Sequence, residues 1–377
     1  MIRFAIVHFQ PVELYPPIMN LLNYLSEKKS EEIEVRVFTM RAGVPKQLYH
    51  SPGIKIFRRG NSKKQFFILR YWNYIFFYFS TIANLVFWKP NVILYYETLS
   101  ALPPFFYKKF INKNCRLLIH YHEYTSAEEY KNGMMLGRWL HSLEKKIYSL
   151  SAWVSQTNSD RMRLFLEENK NVPVQSIHIM PNYPPLTWRT DNNNDLISSP
   201  VKFVYVGALS LDTMYTKEFA EWIIEHKGKM NWDIYSANIT EEALEYLSSL
   251  KTDLIKFQGE VNYFSLPATL RKYDIGVILY NGHIPNYVYN APNKLFEYWA
   301  CGLDVWFPQK MNSSLLFTTT NCFPKIMAVD FDKLEQINVE DAINHLGLNY
   351  KPSPYYCEQI FDALFEQGIK NNYKQIL

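Results

Sequence analysis

A lysine and a glutamate lie three residues apart near the start of a predicted helix in the C-terminal half of the chain. Lys294 and Glu297 follow Pro292 and Asn293, and residues at this spacing share one face of a helix. Proline suits a first helical turn and asparagine suits a cap, so we expect the helix to begin here. The free amides at a helix start attract anions, which predicts a site for a diphosphate. An ordinary solvated pair of Lys294 and Glu297 has the same spacing and is the alternative.

A second polar cluster follows a predicted strand in the N-terminal half. It contains His120, His122 and Glu123, and open α/β sheets bind ligands at the carboxyl ends of their strands. An imidazole can donate or accept a hydrogen bond, which suits contact with a sugar hydroxyl. A metal site and purely structural hydrogen bonding remain as alternatives, although the spacing differs from that of a helical HExxH motif.

Two glycines follow apolar runs in the C-terminal half. Gly207 ends the run that begins at Val201, and Gly259 lies two residues after Phe257. Glycine lets a backbone approach a ligand closely, and Tyr263 can offer an aromatic face to a nucleotide base.

The stretch around Lys294 resembles the PNK-x-x-E-Y segment of GT-B glycosyltransferases related to the large retaining family 4. In that family the carboxylate at the Glu297 position holds the ribose or the diphosphate of a nucleotide-sugar donor. The H-x-H-[DE] motif of the family matches at His122, which the resemblance places against the donor sugar. The matching residues of the C-terminal segment are Pro292, Asn293, Lys294, Glu297 and Gly302.

The resemblance implies a set of roles for individual residues. Catalysis is assigned to His122, Lys294 and Glu297, with Lys294 stabilising the departing nucleoside diphosphate. No metal and no cofactor are expected. Donor binding is assigned to Gly207, Lys217, Gly259, Glu260, Tyr263, Asn290, Pro292 and Asn293.

The chain departs from the family pattern at two places. Ala208 and Ser210 stand where the family has an arginine, which leaves Lys217 as a second cation for the diphosphate or as an ordinary solvated lysine. Tyr289 stands where many members carry the first of two glutamates eight positions apart. The role of that first glutamate passes to the loop of residues 282–290 or is absent.

The elements that must position these residues alternate between strand and helix. Such alternation predicts an α/β fold with parallel sheets, and the resemblance implies GT-B architecture, with two Rossmann-like doubly wound parallel-sheet domains facing across a cleft. We expect an acceptor-binding domain at 1–183, a nucleotide-sugar-binding domain at 184–353, and a C-terminal helix at 354–377 that crosses back to the first domain. The predicted strands are 4–7, 34–39, 92–95, 117–120, 153–155, 201–206, 232–235, 255–257, 275–279 and 304–307.

A long apolar and aromatic stretch at 63–89 carries cations at its start. Lys63, Lys64, Arg70 and Trp72 lie within it, and Arg58 and Arg59 precede it. Three interpretations stay open: a membrane-spanning helix, a buried core helix, and an interfacial helix whose cations meet anionic headgroups. The third would bring the protein to a lipid-linked acceptor.

Composition fits a globular protein with two cores. The chain has 377 residues, 48% of them hydrophobic, and a net charge of +4, which does not call for nucleic acid. Its four cysteines lack zinc or disulfide spacing, and its start reads as a strand rather than a signal peptide, so a cytoplasmic location is expected, with peripheral association at the inner membrane face.

The expected function is retaining transfer of a hexose from a nucleoside-diphosphate sugar to a glycan or lipid-linked acceptor in surface polysaccharide synthesis. A catalytically silent partner subunit and a sugar-nucleotide epimerase of the same architecture are the alternatives. The acidic and histidine groups that an epimerase needs are not evident in the sequence.

Overall fold

The chain folds into two compact units in a computed structural model that describes residues 1–41, 48–60, 67–191 and 198–370. Unit 1 consists of Met1–Asn182 and the segment from Cys357 onward, and unit 2 is Tyr183–Tyr356. Lys63 and Lys64 lie outside the described residues.

Unit 1 is built on one sheet of seven parallel strands. Its strands are β1 (Ile2–His8), β2 (Ile33–Met40), β3 (Lys55–Arg59), β4 (Val92–Tyr96), β5 (Arg116–Tyr121), β6 (Trp153–Gln156) and β7 (Ile177–Ile179). They lie in the order β3-β2-β1-β4-β5-β6-β7. The strand order reverses direction between β1 and β4, and such a switch point is where doubly wound sheets bind ligands.

Helices cover the sheet of unit 1 because the central strands are apolar on both faces. Phe77, Leu85 and Trp88 of the longest helix pack into the core of this unit. The helices are α1 (Pro16–Lys28), α2 (Phe67–Trp88), α3 (Leu102–Phe106), α4 (Ala127–Asn132), α5 (Met135–Glu144) and α6 (Ser159–Glu168).

Unit 2 repeats the arrangement with a sheet of six parallel strands. The sheet contains β8 (Val201–Val206), β9 (Met230–Tyr235), β10 (Ile255–Gly259), β11 (Ile275–Val277), β12 (Asp304–Pro308) and β14 (Ile326–Val329), and the unit has a separate pair of short strands, β13 (Cys322–Phe323) and β15 (Asn349–Tyr350). The sheet order is β10-β9-β8-β11-β12-β14, and β13 pairs with β15. The switch point therefore lies between β8 and β11.

The helices of unit 2 pack on both faces of its sheet, in two apolar clusters. They are α7 (Thr216–Glu225), α8 (Glu241–Ser249), α9 (Leu266–Leu270), α10 (Pro285–Val288), α11 (Asn293–Ala300) and α12 (Val339–Ile343).

The last described helix, α13 (Cys357–Ala363), continues as a π-helical segment over Leu364–Lys370. The ring of Phe361 lies 5.6 Å from that of Tyr24 on α1, and Leu364 is fully buried. These contacts place the C-terminal segment in unit 1.

The prediction of an α/β fold with two parallel-sheet domains is confirmed. The sequence did not reveal β3, because Lys55, Arg58 and Arg59 interrupt its apolar pattern at the edge of the sheet. None of the described helices is long and apolar enough to cross a membrane.

Candidate functional site

The first predicted site lies at the switch point of unit 2. Gly207 follows β8 directly and has a φ of 140°, a backbone conformation that side chains rarely adopt. Its amide donates to the carbonyl of Tyr235, which fixes the turn. A Cβ atom added at Gly207 would lie 2.5 Å from Cε and 2.7 Å from Nζ of Lys294. The absence of a side chain at Gly207 therefore leaves the space that the Lys294 side chain occupies.

The helix α11 presents Lys294 from its first turn. Pro292 occupies the cap position with extended backbone, and no side chain caps the helix. The prediction that Asn293 caps the helix is wrong, because Pro292 is held outside it at ψ 154° and its carbonyl accepts the amide of Leu295. Asn293 is the first helical residue.

Aromatic rings surround the ammonium group of Lys294. Its Nζ donates to the hydroxyl of Tyr280 at 3.0 Å and lies 5.6 Å from the centre of the Tyr205 ring. Burial works to lower the pKa of Lys294, but Tyr280 and Glu297 outweigh it, so the pKa lies above the ordinary lysine value. The group remains a cation at neutral pH.

Glu297 lies one turn further along α11 and is 6% exposed. The salt bridges of the described residues do not include Lys294 and Glu297, so the two do not form the solvated pair that was the alternative. Burial raises the pKa of Glu297 to about 7, against the opposing effect of Lys294. A carboxylate in this setting can accept hydrogen bonds from a pair of hydroxyl groups.

The other residues assigned to donor binding lie in loops of unit 2. Gly259 ends β10 at a break in its register, with φ 78° and open space where a Cβ would project. Glu260 follows it on the surface, and the ring of Tyr263 lies 4.8 Å from that of Trp188, tilted by 40°. The carbonyl of Asn290 accepts the hydroxyl of Ser314.

Lys217 does not join Lys294. It is exposed on the first turn of α7, where its ammonium group lies 5.8 Å from the ring of Tyr246 on α8. Among the described residues, Lys294 is the predicted cation that the fold brings to Gly207.

The second predicted site lies at the carboxyl edge of the sheet of unit 1. His122 is 6% exposed, with its ring between those of Tyr96 at 4.9 Å and Tyr15 at 5.5 Å. Burial lowers the pKa of His122 to about 4, although the side chain of Asn182 opposes the shift. The imidazole is therefore neutral at physiological pH.

The neighbouring histidine has a structural partner. Nδ1 of His120 lies 2.9 Å from the hydroxyl of Ser155 on the next strand. The described residues contain no group of three or more His, Cys, Asp or Glu side chains arranged to hold a metal ion. Glu123 is exposed, and its amide approaches the carboxylate of Glu97 at 3.4 Å.

Sequence reasoning missed several residues that the structure places at these two sites. Tyr205 and Tyr280 enclose Lys294, while His8, Tyr15 and Glu97 lie around His122 and its backbone. Glu97 could have been identified from its position in the sequence, because it directly follows the strand at 92–96, and carboxyl ends of strands at a switch point are where doubly wound sheets bind ligands.

The predicted acceptor or membrane residues lie on and before α2. Trp72 is 64% exposed, and Arg70 lies in the first turns of the helix. The suggestion that Arg58 faces headgroups is wrong, because its guanidinium binds Glu13 at 2.6 Å and the carbonyl of Tyr49. α2 leaves a face of large apolar side chains exposed while its other face packs into the core. The exposed residues are Tyr71, Trp72, Ile75, Phe76, Phe79 and Phe87.

Comparison with known proteins gives matches in structure alone. No protein-family profile matches the chain, and no curated protein matches it significantly in sequence. Sucrose-phosphate synthase from Thermosynechococcus elongatus is similar with a TM-score of 0.66 and 15% identity over 100% of this chain and 98% of that one.

Two other solved structures are similar at lower TM-scores. Anabaena HepE in complex with UDP and glucose aligns with a TM-score of 0.60 at 10% identity, covering 99% of this chain and 97% of its own. A putative UDP-N-acetylglucosamine 2-epimerase from Listeria monocytogenes aligns with a TM-score of 0.58 at 11% identity and the same coverage. At these identities the likeness shows the architecture, and the chain has the GT-B fold.

Proposed function

We propose that this protein is a glycosyltransferase that moves a hexose from a nucleoside-diphosphate sugar to a glycan or lipid-linked acceptor in surface polysaccharide synthesis. The observation that carries the proposal is the approach of Lys294 to the bare backbone at Gly207, one helical turn from the buried carboxylate of Glu297. A lysine on the first turn of an uncapped helix suits a diphosphate, and a carboxylate suits the two hydroxyls of a ribose. The complexes of HepE with UDP make UDP the first nucleotide to test.

The chemistry assigned to unit 2 is stabilisation of the leaving group. Negative charge builds on the nucleoside diphosphate as its bond to the anomeric carbon breaks. Lys294 and the uncapped start of α11 are fixed donors for that charge, which is the kind of interaction that accelerates transfer. Glu297 anchors the ribose. The resemblance to the retaining family supports retention at the anomeric carbon.

A thermal-shift screen tests donor binding. Wild-type protein is heated with UDP, GDP, ADP, CMP and their sugar conjugates, and a nucleotide at a hundred times its Kd adds roughly 2.7 kcal/mol to stability. We expect a shift with one base that disappears in Glu297→Ala and persists in Glu225→Ala, which removes an exposed carboxylate on α7. A wild-type protein that responds to no nucleotide would refute the proposal and favour a catalytically silent subunit.

The exposed face of α2 supports a lipid-linked acceptor. Phe79 is 71% exposed and Phe87 is 86% exposed on this face, and such a helix lies at a membrane interface when cations flank it. Lys109 supplies a cation on the adjacent segment at 107–111, where its ammonium group lies 5.3 Å from the centre of the Phe110 ring. We infer that an anionic bilayer covers the exposed face of α2.

Vesicle sedimentation tests that inference. Wild-type protein should bind vesicles of phosphatidylglycerol more than those of phosphatidylcholine, and the double substitution Phe76→Ser with Phe79→Ser should weaken binding at least tenfold. Leu346→Ser removes an exposed apolar side chain from unit 2 and serves as the control. Equal binding of the double variant and wild type would refute a membrane role for this helix.

Epimerisation of a sugar nucleotide is the second candidate, favoured by the carboxylates and histidines that the fold gathers in unit 1. At the edge of its sheet the carboxylate of Glu97 accepts the backbone amides of His122 and Glu123, and structures named as UDP-N-acetylglucosamine 2-epimerases share the fold. Inverting carbon 2 of a sugar must break its C–H bond. Incubation with UDP-N-acetylglucosamine in D2O distinguishes the two functions, because an epimerase introduces deuterium at carbon 2 and a transferase does not.

A further inference from the structure

Two tyrosine hydroxyls near Lys294 make different hydrogen bonds. The hydroxyl of Tyr205 donates to the carbonyl of Ala208 at 2.5 Å, so only the ring of Tyr205 faces the lysine. The hydroxyl of Tyr280 instead accepts from the ammonium group of Lys294 at 3.0 Å. An ammonium group can only donate, so Tyr280 keeps its own hydroxyl proton for another acceptor. Among the described residues no hydrogen bond uses that proton, which leaves it for a ligand.

The position of Tyr280 is fixed by the loop that follows β8. Tyr280 pairs with Met214 in an isolated antiparallel bridge, and the amide of Asn281 donates to the carbonyl of Thr213 at 3.1 Å. The ring of Tyr280 stacks on that of Tyr287, with 4.3 Å between the ring centres and 16° between the planes. A hydrogen-bond donor that is held in place before the ligand binds needs no reorganisation when charge develops on that ligand.

The proposed diphosphate site has fewer cations than the resemblance implies. Of the two lysines predicted to bind the diphosphate, the structure brings Lys294 to the end of β8, whereas Lys217 is exposed on α7. Ala208 and Ser210 stand where the family has an arginine, and the Oγ of Ser210 lies 2.7 Å from that of Thr213. A further hydrogen-bond donor at this edge of the sheet would compensate for the missing arginine.

We propose that the hydroxyl of Tyr280 donates a hydrogen bond to the diphosphate of the nucleotide sugar and, beside Lys294, takes over the role of that arginine. The inference rests on the proposed transferase function and names a further residue of the same site. Tyr280 donates a hydrogen bond throughout the reaction and neither gains nor loses a proton.

The contact with Lys294 makes Tyr280 a better donor. The ammonium group draws electron density from the phenol oxygen, which strengthens the hydrogen bond that the O–H group gives to a phosphate oxygen. Negative charge grows on the diphosphate as its bond to the anomeric carbon breaks. The hydrogen bond from Tyr280 therefore stabilises the departing nucleoside diphosphate more than the bound nucleotide sugar.

The substitution Tyr280→Phe removes the hydroxyl and keeps the ring that stacks on Tyr287. The full chain is titrated with UDP by calorimetry and with uridine by NMR. Because hydrogen bonds to charged groups are stronger than neutral ones, we expect Tyr280→Phe to weaken UDP binding about tenfold or more. Binding of uridine, which has no phosphate, should not change. Tyr246→Phe removes a tyrosine hydroxyl that binds Glu221 between α7 and α8, and it should leave UDP binding unchanged.

A double-mutant cycle separates contact with the diphosphate from support of the lysine. In Lys294→Met the hydroxyl of Tyr280 no longer has a lysine to orient, so Tyr280→Phe acts only through the contact of the hydroxyl with the ligand. We expect the added Tyr280→Phe to weaken UDP binding about threefold or more in this background, measured by NMR so that millimolar affinities are accessible. No further weakening would make Tyr280 a positioning residue for Lys294 and overturn its contact with the diphosphate.

The outcomes separate this inference from the proposed function. If the thermal-shift screen selects another base, its nucleoside diphosphate and nucleoside replace UDP and uridine. Unchanged affinity for the diphosphate in Tyr280→Phe, with binding by wild type, would overturn the inference alone. Equal weakening of UDP and uridine would place the effect at the base or the ribose and would also overturn it. A wild-type protein that binds no nucleoside diphosphate would overturn the transferase function and the role of Tyr280 with it.

Discussion

Replacing Glu97 by glycine and by alanine measures the strain in the backbone of this residue, which has a positive φ. Both substitutions remove the carboxylate and its two hydrogen bonds to the amides of His122 and Glu123. The two variants therefore differ in little except the backbone preference of residue 97. At φ 61° and ψ 154°, alanine is strained and glycine is not.

The expected difference follows from two opposing terms. Strain in this region costs about 1–3 kcal/mol for a residue with a Cβ, while glycine ordinarily costs about 0.5–1 kcal/mol relative to alanine through chain entropy. Glycine should therefore be the more stable variant by about 1 kcal/mol. For a unit of this size that corresponds to about 2–4 °C in Tm.

Differential scanning calorimetry of the full chain gives the comparison. Glu128 on α4 provides the matched control, since its ordinary helical backbone should make alanine more stable than glycine there. If alanine is the more stable residue at both positions, residue 97 is not strained, which would contradict the backbone conformation described for it.

The remaining predictions concern unit 2. Gly207→Ala should weaken UDP binding at least tenfold in calorimetric titration, because its Cβ would displace Lys294, whereas Gly137→Ala, with open space around it, should not. UDP-glucose binding should strengthen roughly tenfold from pH 6 to pH 8, since Glu297 has a pKa of about 7 and accepts ribose hydroxyls when ionised; Glu297→Gln should bind weakly at every pH. Gly276→Ala would place a Cβ 2.2 Å from the Tyr298 ring and should destabilise the protein by about 1–3 kcal/mol or more in urea unfolding, and a loss below 0.5 kcal/mol would contradict the packing described.

Much of the fold could be predicted from the sequence because the central strands are continuous apolar runs. The runs at Val92 and Val201 are buried along almost their whole length, and apolar runs of this kind separated by helical segments specify a parallel sheet. The edge strand β3 was not predicted, because its half-exposed positions carry charged side chains that interrupt the apolar pattern. The spacing of Lys294 and Glu297 predicted one helical face, but only tertiary packing shows that Glu297 is buried.

The site of unit 1 could be predicted only in part. His122 was found from its motif, yet the rings of Tyr15 and Tyr96 that enclose it come from distant parts of the chain. The backbone strain at Glu97 has no local signature, because glutamate is not a residue that sequence rules place at positive φ. Likewise, the direction of Lys217 toward Tyr246 depends on how α7 and α8 pack.

The central claim is that a nucleoside diphosphate binds to unit 2 at the Lys294 helix. Hydrogen–deuterium exchange of the full chain, with and without the nucleotide selected by the thermal-shift screen, tests it most directly. We predict protection at the end of β8 around Gly207 and at the start of α11, and its loss in Lys294→Met but not in the exposed control Lys229→Met. Protection confined to unit 1, or equal protection in Lys294→Met, would contradict the account.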